Sequence, residues 1–267
     1  YHEGKKFVTH HIPSGVFFGI KSIIGSGCVV NPTQFFKEYN ELKDSGIAIE
    51  GKIFIAENAH IITEDHLKED EKDKTIGTTR DKYARSGLRA KDVPELQPFI
   101  IDMYKELFKN PYIDPKVLFE GAQGFGLDID WGDYPYVTSS HCTVGSAILN
   151  GIPPQMIRKV WGVAKAYETY VGAKNFHNPS PVFNRIREIG EEYGATTGRP
   201  RQCNLNGVTN LVINKMDVLR EVRHWTIRDR SIMHQFDTED DMMDWIDIHL
   251  PRGSIKELLF SGDKESI

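Results

Sequence analysis

The chain has 267 residues, of which 39% are hydrophobic and 27% are charged, and its formal net charge is -5 at pH 7. These values are ordinary for a soluble globular protein and exclude a strongly basic binder of nucleic acid or of anionic membranes. Three distant cysteines, Cys28, Cys142 and Cys203, argue against a disulfide framework or a zinc knuckle and favour a reducing cytoplasm. No apolar run reaches the 18 residues that indicate a membrane span.

Short β-branched apolar runs alternate with helix-like segments in the first third of the chain. The runs SIIG and CVV within 22–30 and KIFIAE at 52–57 are typical of strands. The segments PTQFFKEYNELKDSG at 32–46 and the charged stretch at 64–74 are typical of helices. The alternation predicts an α/β fold. The charged stretch mixes both signs, so we interpret it as a solvated helix face without a function of its own.

The middle of the chain continues the same pattern. PELQPFIIDMYKELFK at 94–109 predicts one helix that ends before Asn110, and KVLFE at 116–120 predicts a buried strand that leads into GAQGFG. A second strand, NLVIN at 210–214, delivers Lys215 and Asp217 at its carboxyl end. A strand that feeds such a turn is where α/β sheets place ligands. Without a repeat or a linker, residues 1–267 are predicted to form a single large domain.

The sequence NKMD at 214–217 matches the guanine-reading NKxD pattern of GTP-binding proteins. A carboxylate at a strand end can accept hydrogen bonds from guanine N1–H and from the 2-amino group, and adenine offers no such pair of donors. Lys and Asp are also common turn residues after a strand, so four residues do not decide between the two readings.

Four further segments could bind anions. GATTGRPRQ at 194–202 combines glycines, hydroxyls and two arginines, which suits carboxylate or phosphate recognition, although a surface turn has the same composition. EGAQG at 120–124 and PYVTSSHCT at 135–143 fit either a ligand contact or a structural turn and a helix cap. IGTT at 76–79 precedes a basic segment at 80–89 that fits either a phosphate grip or a surface helix; its four basic side chains are Arg80, Lys82, Arg85 and Arg89.

No spacing of His141, His177 or His224 suggests a metal cage, and no nucleophile motif supports hydrolytic or covalent catalysis. In chain order, however, the motifs resemble those of adenylosuccinate synthetases. The segments that carry the resemblance are HHIPSG, SIIGSGCVVNP, IGTT, DKYARSGLR, VLFEGAQGFGLDIDWGDYPYVTSS, GIPP, VWGVAKAYETYVGA, EYGATTGRPRQ, GVTNLVINKMDVL and FSGDKESI. They extend over nearly the whole chain.

The resemblance implies a central, mostly parallel twisted sheet, distantly like that of P-loop GTPases, and a ligase that forms a C–N bond in AMP biosynthesis. GTP phosphorylates O6 of IMP, and the amine of L-aspartate then displaces that phosphate to give adenylosuccinate. Mg²⁺ is the implied cofactor, ATP is a less favoured co-substrate than GTP, and a cytoplasmic homodimer with shared active sites is expected, with no nucleic-acid or membrane partner.

The family's ligand contacts carry over onto matching positions. The implied purine-nucleotide contacts are Thr79, Gln123, Thr138, Val171, Arg199 and Arg85, the last reaching the nucleotide of the neighbouring subunit. The implied aspartate-binding loop comprises Ala195, Thr196, Thr197, Gly198, Arg199 and Arg201. The implied GTP contacts are Arg201, Lys215, Met216, Asp217, Ser261 and Gly262.

The sequence also departs from the family's pattern. The GDEGKGK and GHT motifs, which supply the catalytic Asp and His and the Mg²⁺ contacts, are expected before Tyr1, so no catalytic or metal residue is assigned here. A GRGIGPAY-like segment is missing after Thr79, and a WLN-type segment is missing between Asn204 and Leu205. A sequence assembled from separate pieces fits these gaps, and a truncated pseudo-enzyme is the alternative.

Two rival functions stay open. A phage-type synthetase would join aspartate to dGMP for 2-aminoadenine DNA, in a host cytoplasm, and the shortened C-terminal part suits a compact viral or archaeal-like form. A non-catalytic guanine-nucleotide-binding protein is the rival from another class. The aspartate-type loop with Arg199 and Arg201 favours the ligase, because a nucleotide switch needs no such loop.

Overall fold

The computed structural model describes residues 2–73, 75–85, 87–110, 116–160, 168–176, 181–189, 191–194, 198–204, 210–212 and 228–232. The chain divides into two compact units. The first comprises Tyr1–Ala122, Val137–Met156 and Ser261–Ile267, and the second comprises Gln123–Tyr136 and Ile157–Phe260. The single domain over 1–267 stays a prediction.

A three-stranded parallel sheet forms the centre of the first unit. Its strands are β1 (Ser22–Ile24), β3 (Ile53–Ala56) and β5 (Ile100–Ile101), with β3 between the other two. Ile24 and Ile55 face each other in the β1–β3 register, and both are buried. Parallel neighbours need a crossover, which helix α1 (Pro32–Asp44) provides between β1 and β3. The expected α/β class is confirmed.

Helix α1 begins and packs as its sequence predicts. The Asn31 side chain accepts a hydrogen bond from the Gln34 amide at 3.0 Å, and Pro32 occupies the first helical position, where its missing N–H costs nothing. One face buries Phe35 and Leu42 in the core. Phe35 is fully buried and meets the ring of Phe99 edge to face at 5.0 Å between centroids.

Shorter elements complete the first unit. Strand β2 (Val29–Val30) pairs in parallel with β4 (His60–Ile61), and short 3₁₀ segments lie between several of the elements. The remaining helices are α2 (Glu64–Lys72), α3 (Arg80–Ala84), α4 (Met103–Leu107) and α5 (Gly145–Leu149). Thr63 and His66 form a capping box that starts α2, whose charged residues are exposed or half-buried, as the mixed charges predicted.

Two predicted elements of this unit were wrong. The helix at 94–109 is instead a 3₁₀ segment Pro94–Phe99, the strand β5 and the short helix α4. Pro98 disfavours an α-helix, because it lacks an N–H and its ring clashes with the preceding turn, and the isoleucines pair with β3. The segment 116–120 forms no strand, and Leu118 in it is 87% exposed. An apolar run forms a buried strand only where neighbouring strands pair with it, and this segment pairs with no described strand.

The second unit contains two antiparallel strand pairs, one α-helix and one 3₁₀ segment among its described residues. Strand β6 (Glu168–Tyr170) pairs with β7 (Gln202–Asn204), and β8 (Asn210–Val212) pairs with β9 (Arg228–Ile232). Helix α6 is Pro181–Ile189.

Cys28, Cys142 and Cys203 are free thiols. Within the described residues, every helix is too short or too polar to cross a bilayer.

Candidate functional site

Asp70 on helix α2 organises the IGTT segment of the first unit. Its carboxylate accepts from the Thr79 amide at 2.6 Å, the Thr79 hydroxyl at 3.0 Å and the Thr78 hydroxyl at 3.2 Å, and Arg80 Nε donates to it at 3.0 Å. Desolvation alone would raise the pKa of Asp70, but the hydrogen bonds from Thr79 and Arg80 outweigh it and hold the pKa below its usual range. Asp70 is therefore an anion in this site.

Backbone pairing brings the segments of two predicted nucleotide contacts, Thr79 and Thr138, next to each other. Thr78 forms a parallel bridge with Thr138, and the Gly77 amide donates to the Val137 carbonyl at 2.8 Å. A Cβ at Gly77 would lie 2.8 Å from that carbonyl oxygen, so only glycine allows this approach. The IGTT and TSS segments, 60 residues apart in sequence, thus lie side by side.

The two threonines predicted to contact the purine nucleotide are both interior residues here. Thr79 has no exposed surface, and its amide and hydroxyl both donate to Asp70. Thr138 is 7% exposed, and its hydroxyl accepts from the Ser140 amide at 3.3 Å. Their roles as ligand contacts stay predictions.

The four basic residues at 80–89 do not converge on one point. Arg80 pairs with Asp70, Lys82 Nζ lies 3.1 Å from Asp73, and Arg89 Nη1 lies 2.8 Å from His60 Nε2. Burial and the neighbouring Arg89 and Arg85 lower the pKa of His60, which favours its neutral form beside these cations. The basic side chains of the predicted phosphate site therefore pair with different residues of the protein.

Arg85 follows the last turn of α3 and is the most outward of the predicted nucleotide contacts in this unit. Its side chain is 45% exposed, and its guanidinium lies 3.9 Å from the Asp81 carboxylate. Asp81 in turn accepts a short hydrogen bond from the Ser140 hydroxyl. This contact ties α3 to the TSS segment, so the position of Arg85 depends on the placement of α3.

In the second unit, hydrogen bonds close the GATTGRPRQ loop at its base. The Gly194 amide donates to the Arg199 carbonyl, the Gly198 amide donates to the Gly194 carbonyl, both at 2.8 Å, and Tyr193 forms a bridge with Pro200. Gly198 has a φ of +62°, a left-handed value that favours glycine. The described residues on the two sides of the loop therefore run antiparallel. Residues 195–197, which carry the predicted aspartate contacts Ala195, Thr196 and Thr197, lie outside the described residues.

A buried acid holds Arg201, the predicted contact to aspartate and GTP. Arg201 Nη1 donates to Glu192 Oε2 at 2.9 Å, and their side chains are 30% and 5% exposed. The Arg201 amide also donates to the Glu192 carbonyl, and Arg187 Nε donates to the Arg201 carbonyl at 2.7 Å. These contacts fix both the backbone and the guanidinium of Arg201. Arg199, by contrast, is exposed.

Two further predicted contacts lie in the second unit, outside its strands and helices. Gln123 is exposed and has a φ of +63°, an unusual left-handed conformation for a residue with a side chain. Val171 is 40% exposed and directly follows β6. Gln202 holds the loop after it, because its amide donates to the carbonyls of Gly172 at 3.1 Å and Lys174 at 2.7 Å.

The remaining predicted GTP contacts cannot be placed. Lys215, Met216, Asp217, Ser261 and Gly262 lie outside the described residues. Conversely, sequence reasoning missed the residues that position the predicted contacts. These are Asp70, Asp73, Glu192 and Gln202. The only signal for the first two was their spacing of three residues, which would put them on one face of the helix predicted at 64–74. In the structure Asp70 lies in α2 and Asp73 is its C-cap.

The chain matches the family model described as "Adenylosuccinate synthetase" over residues 1–95 and 89–231. It is 36% identical over 294 residues to the adenylosuccinate synthetase of Halothermothrix orenii, an alignment that covers 83% of this chain and 68% of that protein. It is 37% identical over 292 residues to that of Streptococcus sanguinis, covering 81% of this chain and 67% of the relative.

Solved structures give the same result. A fully ligated adenylosuccinate synthetase from Plasmodium falciparum is similar with a TM-score of 0.62 at 30% identity, covering 76% of this chain and 61% of that one. The succinoaminodeoxyadenylate synthetase of cyanophage S-2L, bound to dGMP and dATP, is similar with a TM-score of 0.58, covering 76% and 65%. Its identity of 21% establishes a shared fold alone. The chain thus spans about two thirds of the length of these proteins.

Proposed function

Because this chain belongs to the adenylosuccinate synthetase family of C–N bond-forming ligases, we propose that the protein joins L-aspartate to C6 of IMP at the expense of GTP. The observation that carries the proposal is the family match, which includes residues 1–95 and 89–231. The reaction runs in two steps. The γ-phosphoryl group of GTP passes to O6 of IMP, and the aspartate amine then displaces that phosphate to give adenylosuccinate, GDP and phosphate.

Three groups of residues are proposed to bind the substrates. The purine nucleotide is bound by Thr79, Arg85, Gln123, Thr138, Val171 and Arg199. The loop 195–201 binds aspartate through Arg199 and Arg201. The guanine base of GTP is read by Lys215, Met216 and Asp217, with Ser261 and Gly262. Arg201 contributes a charged donor, and the Arg201–Glu192 pair supports this role because it holds the guanidinium in one orientation.

Mg²⁺ is the proposed metal ion of the reaction, in which it would neutralise charge on the transferring phosphoryl group. The motifs that supply its ligands in the family are not in this sequence, so none of the residues named above is assigned to it. We propose a homodimer in which Arg85 reaches the nucleotide of the partner subunit. The cytoplasm is the proposed location, since the family's role is in purine biosynthesis.

The test is aspartate-dependent release of nucleoside diphosphate by the full-length protein. IMP and dGMP are each combined with GTP and with ATP, and reactions without aspartate give the background. Turnover that requires IMP and GTP supports the proposal. Turnover with dGMP would replace it with the phage-type synthetase, and no turnover in any combination would favour the non-catalytic guanine-nucleotide-binding protein.

A further inference from the structure

Helix α2 and its C-cap residue, Asp73, carry two carboxylates that the proposed function does not use. Asp70 accepts from Thr78, Thr79 and Arg80, as described above. Asp73, one turn later, accepts from Lys82 Nζ at 3.1 Å and from the Tyr83 hydroxyl at 2.9 Å. Both carboxylates therefore contact α3 or the residues immediately before it.

These two carboxylates are less exposed than two acidic residues nearer the start of α2. The side chains of Asp70 and Asp73 are 12% and 10% exposed, whereas those of Asp65 and Glu69 are 88% and 51% exposed and pair with lysines of the same helix. Exposed pairs within one helix contribute little to stability, because water and salt screen them. The less exposed carboxylates, at the C-terminal end of α2, are thus the ones that contact α3 and the residues before it.

Helix α3 needs such contacts. It has five residues, and a helix this short is not stable alone in water, because nucleation costs more than its few hydrogen bonds return. Its polar side chains are anchored to Asp70, to Asp73 and, through Asp81, to Ser140. Arg85 directly follows the helix, and the Arg85 amide donates to the Asp81 carbonyl at 3.1 Å, so its backbone moves with α3.

We propose that Asp70 and Asp73 are positioning residues that fix α3 and thereby hold the guanidinium of Arg85 in place for a nucleotide phosphate. The proposal rests on the proposed function, which makes Arg85 a nucleotide contact. The 3.9 Å separation of Arg85 from Asp81 is long for an ion pair, so side-chain pairing gives little orientation and the backbone gives most of it.

The test uses Asp70→Asn and Asp73→Asn, singly and together, in the full-length protein. We expect the KM for IMP to rise at least about tenfold in the double variant, a loss of about 1.4 kcal/mol in nucleotide binding, while kcat changes much less. Asp65→Asn and Glu69→Gln are matched controls on the same helix and should leave both constants unchanged. An unchanged KM in the double variant overturns the proposal.

A double-mutant cycle with Arg85→Ala separates positioning from a general loss of stability. If the carboxylates act through Arg85, adding Asp70→Asn and Asp73→Asn to Arg85→Ala should raise the KM little further. Full additivity overturns the proposal, even if the melting temperature falls.

Hydrogen exchange at the Tyr83 and Arg85 amides tests the same idea without turnover. Both amides close α3 through the Thr79 and Asp81 carbonyls, and their protection should fall in the Asp70→Asn and Asp73→Asn variants but not in the controls. Unchanged protection overturns the proposal whatever the activity. The two proposals can fail separately. If the wild-type protein does not turn over IMP, but the variants lose this protection, the proposed function is contradicted and the anchoring of α3 still holds.

Discussion

Glu38 offers the sharpest test of how the first unit is held together. Its side chain is buried on α1, and one carboxylate oxygen accepts from the His10 amide while the other accepts from the His11 amide, both at 2.9 Å, and from the Ile12 amide at 3.2 Å. Gln34 Nε2 donates to the first oxygen at 2.9 Å. One buried anion therefore anchors three consecutive amides of the chain.

In Glu38→Gln, one of the two oxygens becomes an NH₂ group of nearly the same size. At least one backbone N–H then loses its acceptor, which costs about 1–3 kcal/mol, and the remaining bonds lose their charge assistance, worth about 1 kcal/mol each. The expected loss of local stability is about 3 kcal/mol. Because about 1.4 kcal/mol is a factor of ten, hydrogen exchange at the His10, His11 and Ile12 amides should quicken about 100-fold.

Residue-resolved hydrogen exchange at constant pH measures this effect directly. Glu41→Gln is the matched control, because Glu41 lies on the same helix with its side chain 62% exposed, and exchange at the three amides should not change in it. An acceleration of less than about threefold in Glu38→Gln would refute the account of Glu38 as the anchor of this segment.

The remaining predictions follow from burial, titration and guanidinium chemistry. Phe35→Ala removes a fully buried ring and should lower the free energy of unfolding by about 3–5 kcal/mol, read from denaturant midpoints, with half-buried Phe36→Ala losing less. The pKa of His11 is lowered, mainly by burial and further by the neighbouring His10 and Arg80. The Glu38 carboxylate acts in the opposite direction but does not outweigh them. The unfolded chain therefore binds a proton before the native one, and stability should fall as pH drops below about 6.5; a His11→Gln variant that keeps the full dependence would disprove the assignment. Glu192→Gln should raise the KM for aspartate several-fold without a matching loss of kcat, because Arg201 loses its orienting anion, and an unchanged KM would remove Arg201 from the aspartate site. Asp217→Asn should weaken GTP and relatively favour xanthosine triphosphate, since the new amide donates as well as accepts; competition between the two nucleotides measures the shift, and an unaltered preference would reject the guanine assignment.

Local signals in the sequence determined the elements whose stability is local. Asn31 and Pro32 mark the start of α1, and the spacing of Phe35 and Leu42 gives the helix its buried face. The β-branched runs predicted β1 and β3, and the ordered motifs identified the family, which the comparisons confirmed. These features depend on residues close together in the chain, so the sequence shows them directly.

Only the tertiary structure decided the rest. Ile100 and Ile101 became a strand because β3 lies beside them, and the run at 116–120 stayed exposed because no described strand pairs with it. Nothing in the charged stretch at 64–74 distinguishes Asp70 from Asp65, yet Asp70 is half-buried and accepts from Thr79, whereas Asp65 is exposed and pairs with Lys68. The structural role of a carboxylate depends on which hydrogen-bond donors the fold places beside it, and those donors come from other segments of the chain.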